Sequence, residues 1–203
     1  MKIALIGATG FIGSRLLTEL TSRGHQVTAI VRNPGKVPQG AGVTALKGDV
    51  YDRDGLAAPL AGHDAVISAV HYTASDPATL LAAVKQSGVK RYLVVGGAGS
   101  LEVAPGVKLF DTKEFPAIYL DEARKGGAYL DLLKGEPGLD WTFLSPSALI
   151  EPGERTGKFR LGKDQLLVDG NGQSRISAED YAVALVDELE KPAHSRQRFT
   201  VGY

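Results

Sequence analysis

The chain opens with a pattern that leaves few folds available to it. Lys2–Gly7 reads KIALIG, and Gly7-Ala8-Thr9-Gly10-Phe11-Ile12-Gly13 follows at once. Ile12, Leu16, Leu17 and Leu20 then recur at helical spacing up to a stop at Gly24. A short, wholly apolar run fits a buried parallel strand, and a parallel strand needs a crossover before its neighbour can pair with it. The glycines stand in the spacing G-x-x-G-x-x-G between strand and helix. There they permit the tight turn, a close backbone approach to a pyrophosphate and tight helix–strand packing. The start of the helix adds free N–H groups and a partial positive charge. Gly7, Ala8, Thr9, Gly10, Phe11, Ile12 and Gly13 are therefore expected to bind a dinucleotide.

The rest of the chain continues the alternation. Strands are expected over 26–31, 43–47, 64–70, 91–97 and 140–146. Helices are expected over 52–60 with Asp52 as N-cap, over 76–87 with Pro77 in the first turn, and over 116–134, where Gly126-Gly127 weakens the middle. After Pro146 the rhythm changes. Lys158–Leu161 and Gln165–Val168 suggest a hairpin across Gly162-Lys163-Asp164, followed by an amphipathic helix over 178–190 capped by Ser177 and a last short strand over 198–201. Strands alternating with helices argue an α/β fold built on a doubly wound parallel sheet with helices on both faces. Residues 1–203 are expected to form a single domain, with 1–146 as its core and 147–203 as a small C-terminal cap on the substrate side, too small for a core of its own.

Composition narrows the function classes. The 23 Lys+Arg balance 23 Asp+Glu, so nothing in the total resembles the basic footprint of a nucleic-acid binder. No apolar run is long enough to span a membrane, and Ile3–Ile6 is too short for a signal peptide. There is no cysteine, and the four histidines have no metal-ligand spacing, so no metal site is expected. These features point to a cytoplasmic protein; a small-molecule substrate is expected, with the chain a monomer or homodimer. Glycine is the unusual count, at 25 of 203 residues, and many of these glycines directly follow apolar runs. That is where a backbone must come close to a ligand at strand ends.

At the end of the second strand, where a site for NAD(H) usually carries an acid for the ribose 2′-hydroxyl, the chain has Arg32, with Asn33 beside it and Lys36 nearby. Cations there suit a 2′-phosphate, so NADP(H) is favoured and NAD(H) remains possible. Asp49, in Gly48-Asp49-Val50, could accept from the adenine amino group or cap the following helix. Ser68-Ala69-Val70 and Gly96-Gly97 offer small groups at two further strand ends, and His71 and Tyr72 follow the first of these. Trp141 and Phe143 read as core residues.

Gly7–Gly13, Arg32, Gly48-Asp49-Val50 and the Trp141–Pro146 strand end resemble the atypical short-chain dehydrogenase/reductase superfamily over about residues 1–147. Through Pro152–Gly157, Ser174–Ser177 and Glu179–Ala182 the chain further resembles small bacterial NAD(P)-binding proteins named NADH-flavin reductases, relatives of biliverdin-IXβ (flavin) reductase and of NmrA-like proteins. The resemblance implies a Rossmann-type fold and hydride transfer from NADPH or NADH to a flavin, such as FMN, or to a quinone-like acceptor. It implies a substrate wall in the cap, where Arg155 and Arg175 could hold an anionic substrate group or pair with Glu151, Glu154 or Asp180, and where Pro146 ends the neighbouring strand. The chain departs from the superfamily at its acid–base pair. Tyr119 is followed four residues later by Ala123, and Tyr129 by Leu133, so Tyr-x-x-x-Lys is missing. Tyr119 and His71 remain as candidate proton donors. Direct hydride transfer between stacked rings tolerates that loss. A dinucleotide-binding redox sensor without catalysis, reporting to a protein partner, is the alternative.

Overall fold

The computed structural model describes residues 1–203, which group into two compact units: Met1–Val94 with Pro137–Trp141, and Val95–Glu136 with Thr142–Tyr203.

In the first unit, β1 (Lys2–Ile6), β2 (Gln26–Val31), β3 (Val43–Lys47), β4 (Ala65–Ser68) and β5 (Arg91–Val95) lie in the order β3-β2-β1-β4-β5, every pair parallel. Ile6 is registered with Ile30 on one side and with Ser68 on the other, which places β1 in the middle. Ile3, Ala4 and Leu5 have no exposed surface, as a strand covered on both faces requires. The crossovers are α1 (Phe11–Ser22), α2 (Arg53–Leu60) and α3 (Pro77–Gln86). The chain moves one way from β1 to β3 and then returns across β1 to β4 and β5. Right-handed crossovers therefore set α1 on one face, and α2 and α3, which pack together, on the other. Local chemistry starts and stops these helices. Asp52 Oδ1 accepts from the Gly55 N–H at 3.0 Å and Asp76 Oδ2 from the Thr79 N–H at 3.1 Å, while Gly24, at φ +78°, ends α1.

The second unit contains β6 (Glu102–Ala104), β7 (Val107–Lys108), α4 (Leu120–Lys134), most of β8 (Asp140–Ser145), β9 (Leu149–Glu151), β10 (Arg160–Gly162), β11 (Arg175–Ser177), α5 (Ala178–Glu190) and β12 (Gln197–Gly202). Here β12 runs parallel to β8 and antiparallel to β10, and β9 pairs in parallel with β11. Phe143 and Phe199 are buried in this unit, and Trp141 is buried in the first. Gly126 and Gly127 do not break α4, because both are buried and a Cβ on Gly127 would come within 3.2 Å of the Phe110 ring. A turn of 3-10 helix, Ala117–Tyr119, precedes α4.

The expected hairpin over 158–168 does not form. Its first strand pairs with β12 instead, and Gln165 bridges to Glu102, with the Leu166 N–H donating to the Glu102 carbonyl at 2.9 Å. Arg198 holds Asp164, the residue that was to close the turn, through Nε at 2.8 Å and Nη2 at 2.6 Å. The mostly parallel sheet and five α-helices make this a Rossmann-type α/β fold. No helix is long and apolar enough to cross a membrane.

Candidate functional site

Strand order reverses between β1 and β4, and at such a switch point the two chains leaving the sheet diverge and open a crevice at the carboxyl ends of the strands. The glycine turn sits there. The Gly7 N–H donates to the Ile30 carbonyl at 3.0 Å and the Ala69 N–H to the Ile6 carbonyl at 2.9 Å, so the ends of β2, β1 and β4 are tied side by side. Gly7 has φ +84°, and a Cβ on it would lie 2.4 Å from the Ala69 carbonyl oxygen. A Cβ on Gly13 would lie 2.0 Å from the Gly7 carbonyl oxygen. These two glycines are required by the protein's own helix–strand contact. Gly10 is different: it is exposed at the N-cap of α1, makes no side-chain cap, and leaves the N–H groups of the first turn without a side-chain acceptor. That turn contains no acid. Thr9 is exposed and Ala8 buried; Phe11 is exposed and Ile12 half-buried.

Around this turn the first unit gathers the other expected residues. Arg32, Asn33 and Lys36 are exposed beyond the end of β2, and neither cation forms an ion pair. Asn33 Oδ1 accepts from the Gly35 N–H at 3.2 Å, which fixes this turn. Asp49 is exposed and Val50 half-buried. Asp49 does not cap α2; Asp52 does, and Asp49 Oδ1 accepts from the Tyr51 N–H at 3.0 Å. The Gly48 N–H donates to the Val31 carbonyl at 3.1 Å, and a Cβ on Gly48 would strike the Ile30 side chain. Ser68 is turned inward, its hydroxyl 2.8 Å from the Tyr92 hydroxyl, so at this strand end Ala69 and Val70 are the more open residues. His71 is exposed at the start of a 3-10 turn in which Tyr72 is buried.

In the second unit, a Cβ on Gly96 would collide with the Phe143 ring and the Leu144 carbonyl, whereas one on Gly97 would meet nothing within 4 Å. Of these two, Gly97 alone leaves open space. Tyr119 is 62% exposed at the N-cap of α4, one turn before Ala123, which packs against the loop at Gly99. No lysine stands four residues beyond it. Pro146 is buried at the end of β8, and Arg155 and Arg175 are exposed. Arg175 forms no salt bridge with Glu151, Glu154 or Asp180.

Asp180, with no exposed surface, accepts other donors. These are the Thr156 N–H at 2.8 Å, the Thr156 hydroxyl at 2.5 Å, the Gly157 N–H at 2.8 Å and the Tyr203 hydroxyl at 2.8 Å. Ser177 caps α5 through the Asp180 N–H at 3.0 Å and donates to the Glu154 carbonyl at 2.8 Å. The Gly153 N–H donates to Glu179 at 2.8 Å. The stretch carrying Arg155 is thus fastened to the first turn of α5. Burial, reinforced by the Asp180 carboxylate, pushes the Tyr203 phenol above its ordinary value.

The donor set fits a dinucleotide. The site has an uncapped helix start, a turn whose backbone lies open at Gly10, and unpaired cations at the end of β2. One contact escaped the sequence reading. Arg15 lies over the Phe11 ring, its guanidinium carbon 4.8 Å from the centroid. The signal was present as an aromatic–cation pair at i,i+4, immediately inside the glycine motif.

The NAD(P)H-binding family model matches residues 7–192. The uncharacterised protein YwnB of Bacillus subtilis is 44% identical over 211 residues, covering 99% of this chain and 98% of that protein. Among solved structures, a Bacteroides thetaiotaomicron protein provisionally named an epimerase is 47% identical with a TM-score of 0.95, covering 100% of this chain and 96% of the other. A Streptococcus pneumoniae protein provisionally named an NADH-flavin reductase is 37% identical with a TM-score of 0.86, covering 100% and 99%. With its switch-point glycine turn and its match from Gly7 onward, this chain belongs to the NAD(P)H-binding family.

Proposed function

We propose that this protein is an NAD(P)H-dependent reductase that favours NADPH and delivers hydride to a flat conjugated acceptor, a flavin or a quinone. The observation that carries the cofactor preference is Arg32, exposed and without an ion pair at the end of β2, with Lys36 beyond it and no acid where a ribose 2′-hydroxyl would be held. The acceptor class rests on α4. Ala123 stands where a lysine would lower the pKa of Tyr119, so the chain lacks the pair that carbonyl reduction uses. The same gap argues against the chemistry suggested by the epimerase name of its relative. When bound, a reduced nicotinamide supplies the hydride, and a flavin or quinone accepts it with its proton drawn from water. What remains for the protein is binding and orientation. In the first unit the α1 start and Arg32 hold negative charge; in the second, Gly97 keeps its strand end open, and Arg155 and Arg175 are exposed and of the sign that suits an anionic group such as the FMN phosphate.

The missing pair also favours a second reading, a sensor that binds the dinucleotide and reports to a protein partner. Oxidation of NADPH and NADH, followed at the nicotinamide absorbance with FMN, riboflavin and a small quinone, separates the two. Acceptor-dependent oxidation that favours NADPH, with the preference lost in Arg32→Glu, is expected. Tight NADPH binding without turnover by any acceptor would sink the reductase reading and leave the sensor.

A further inference from the structure

Phe11 stands at the start of α1 and is 42% exposed even with a neighbour over its ring, an unfavourable place for an aromatic group unless something rests on it. Arg15, one helical turn on, does so. Its guanidinium carbon lies 4.8 Å from the ring centroid, and Nη1 donates to the Phe11 carbonyl at 3.1 Å and to the Ser14 hydroxyl at 3.3 Å. These contacts draw a long side chain back toward the helix start and hold its plane against the first turn. A positive charge at a helix N-terminus opposes the macrodipole, so intrinsic helix stability is a poor reason for it. An anion at the turn changes the sign of that argument, because the dipole, the uncapped N–H groups and the guanidinium then act together.

We propose that Arg15, seated on Phe11, is a phosphate-binding residue for the dinucleotide's pyrophosphate, and so serves NADH and NADPH alike. This rests on the reading that the glycine turn takes a dinucleotide. It divides the phosphate recognition between two arginines: Arg15 takes the charge common to both cofactors, and Arg32 takes the 2′-phosphate that only NADPH carries. The stack on Phe11 settles much of the guanidinium's freedom before the ligand arrives, which lowers the ordering cost of binding. Arginine suits this better than lysine, because a planar fork can stack and still present edge donors to phosphate.

Dissociation constants for NADPH, NADH and ADP-ribose, measured by calorimetry on wild type, Arg15→Ala, Arg15→Lys, Phe11→Leu and Arg32→Ala, test the division. Arg15→Ala is expected to weaken all three ligands by a similar factor, roughly tenfold or more, the loss expected when a charged hydrogen bond is removed. Arg15→Lys and Phe11→Leu should fall between wild type and Arg15→Ala for each ligand, and Arg32→Ala should weaken NADPH alone. Thermal melts of the free proteins check that the variants fold. Affinities within twofold of wild type for Arg15→Ala, or a loss confined to NADPH, would overturn the assignment while leaving the dinucleotide reading intact. A wild type that binds none of the three ligands would overturn both.

Discussion

Gly13, in the first turn of α1, and Gly97, just past β5, are glycine for opposite reasons. A Cβ on Gly13 would lie 2.0 Å from a backbone oxygen that cannot move without α1 leaving β1, whereas a Cβ on Gly97 would meet no protein atom within 4 Å. Gly13→Ala is therefore expected to cost about 2 kcal/mol or more in a denaturant titration and to weaken NADPH binding with it. Gly97→Ala should leave stability within about 0.5 kcal/mol of wild type, so any loss of turnover in it reports on ligand access. A melting point that falls as far for Gly97→Ala as for Gly13→Ala would remove the distinction. The glycine spacing was legible in the sequence because strand, turn and helix each carry their own local signal there. What the sequence hid was direction. Gly48 and Gly96 also follow apolar runs, but the space they leave is filled by Ile30 and by Phe143. The partner of a missing side chain lies across the sheet, where no local pattern reports it.

Among the elements, the least legible part was the chain after Pro146. Strands of three residues, such as β9, β10 and β11, carry almost no periodicity, and long-range partners choose their pairing. Arg160–Gly162 was foreseen as half of a local hairpin and instead joins β12, about 40 residues further along. The start of α5 was foreseen, because a serine N-cap with acids in the first turn is local chemistry. Nothing in the spacing showed that Asp180 would also gather Thr156, Gly157 and Tyr203. Asp180→Ala strands those donors in a buried place and is expected to destabilise the protein by about 3 kcal/mol, measured by urea unfolding. A cost below about 1 kcal/mol would mean that the stretch is held by something else. The Tyr203 phenol gives the same junction a pH signature. Its folded pKa lies above the ordinary 10.0, so its contribution is complete below that value and drains away as pH climbs through the raised one. Tyr203→Phe should flatten the alkaline fall in unfolding free energy as pH climbs above the ordinary 10.0, and an unchanged slope would refute that role.

At the scale of the molecule, the charges cancel, with 23 on each side and an isoelectric point near 6.9. Repulsion between copies is then weakest near neutral pH, so light scattering at low salt should show the greatest self-association close to pH 7 and less of it a unit or two to either side. A flat profile would mean that patches, and not net charge, govern its solubility. The α/β class was legible at this scale because it needs only the alternation of apolar runs, whereas the division of Asp140–Ser145 between two compact units follows from contacts that the sequence does not display. The position of β12 has a consequence for how the protein is made. It lies between β8 and β10, yet it leaves the ribosome after both of them. Until it arrives, Phe143 and Leu144 present an unpaired apolar rim, the kind of edge on which nascent chains stick to one another. A message cut short before Gln197 would therefore yield aggregates, and a chaperone that shields that rim would decide the yield of the intact protein.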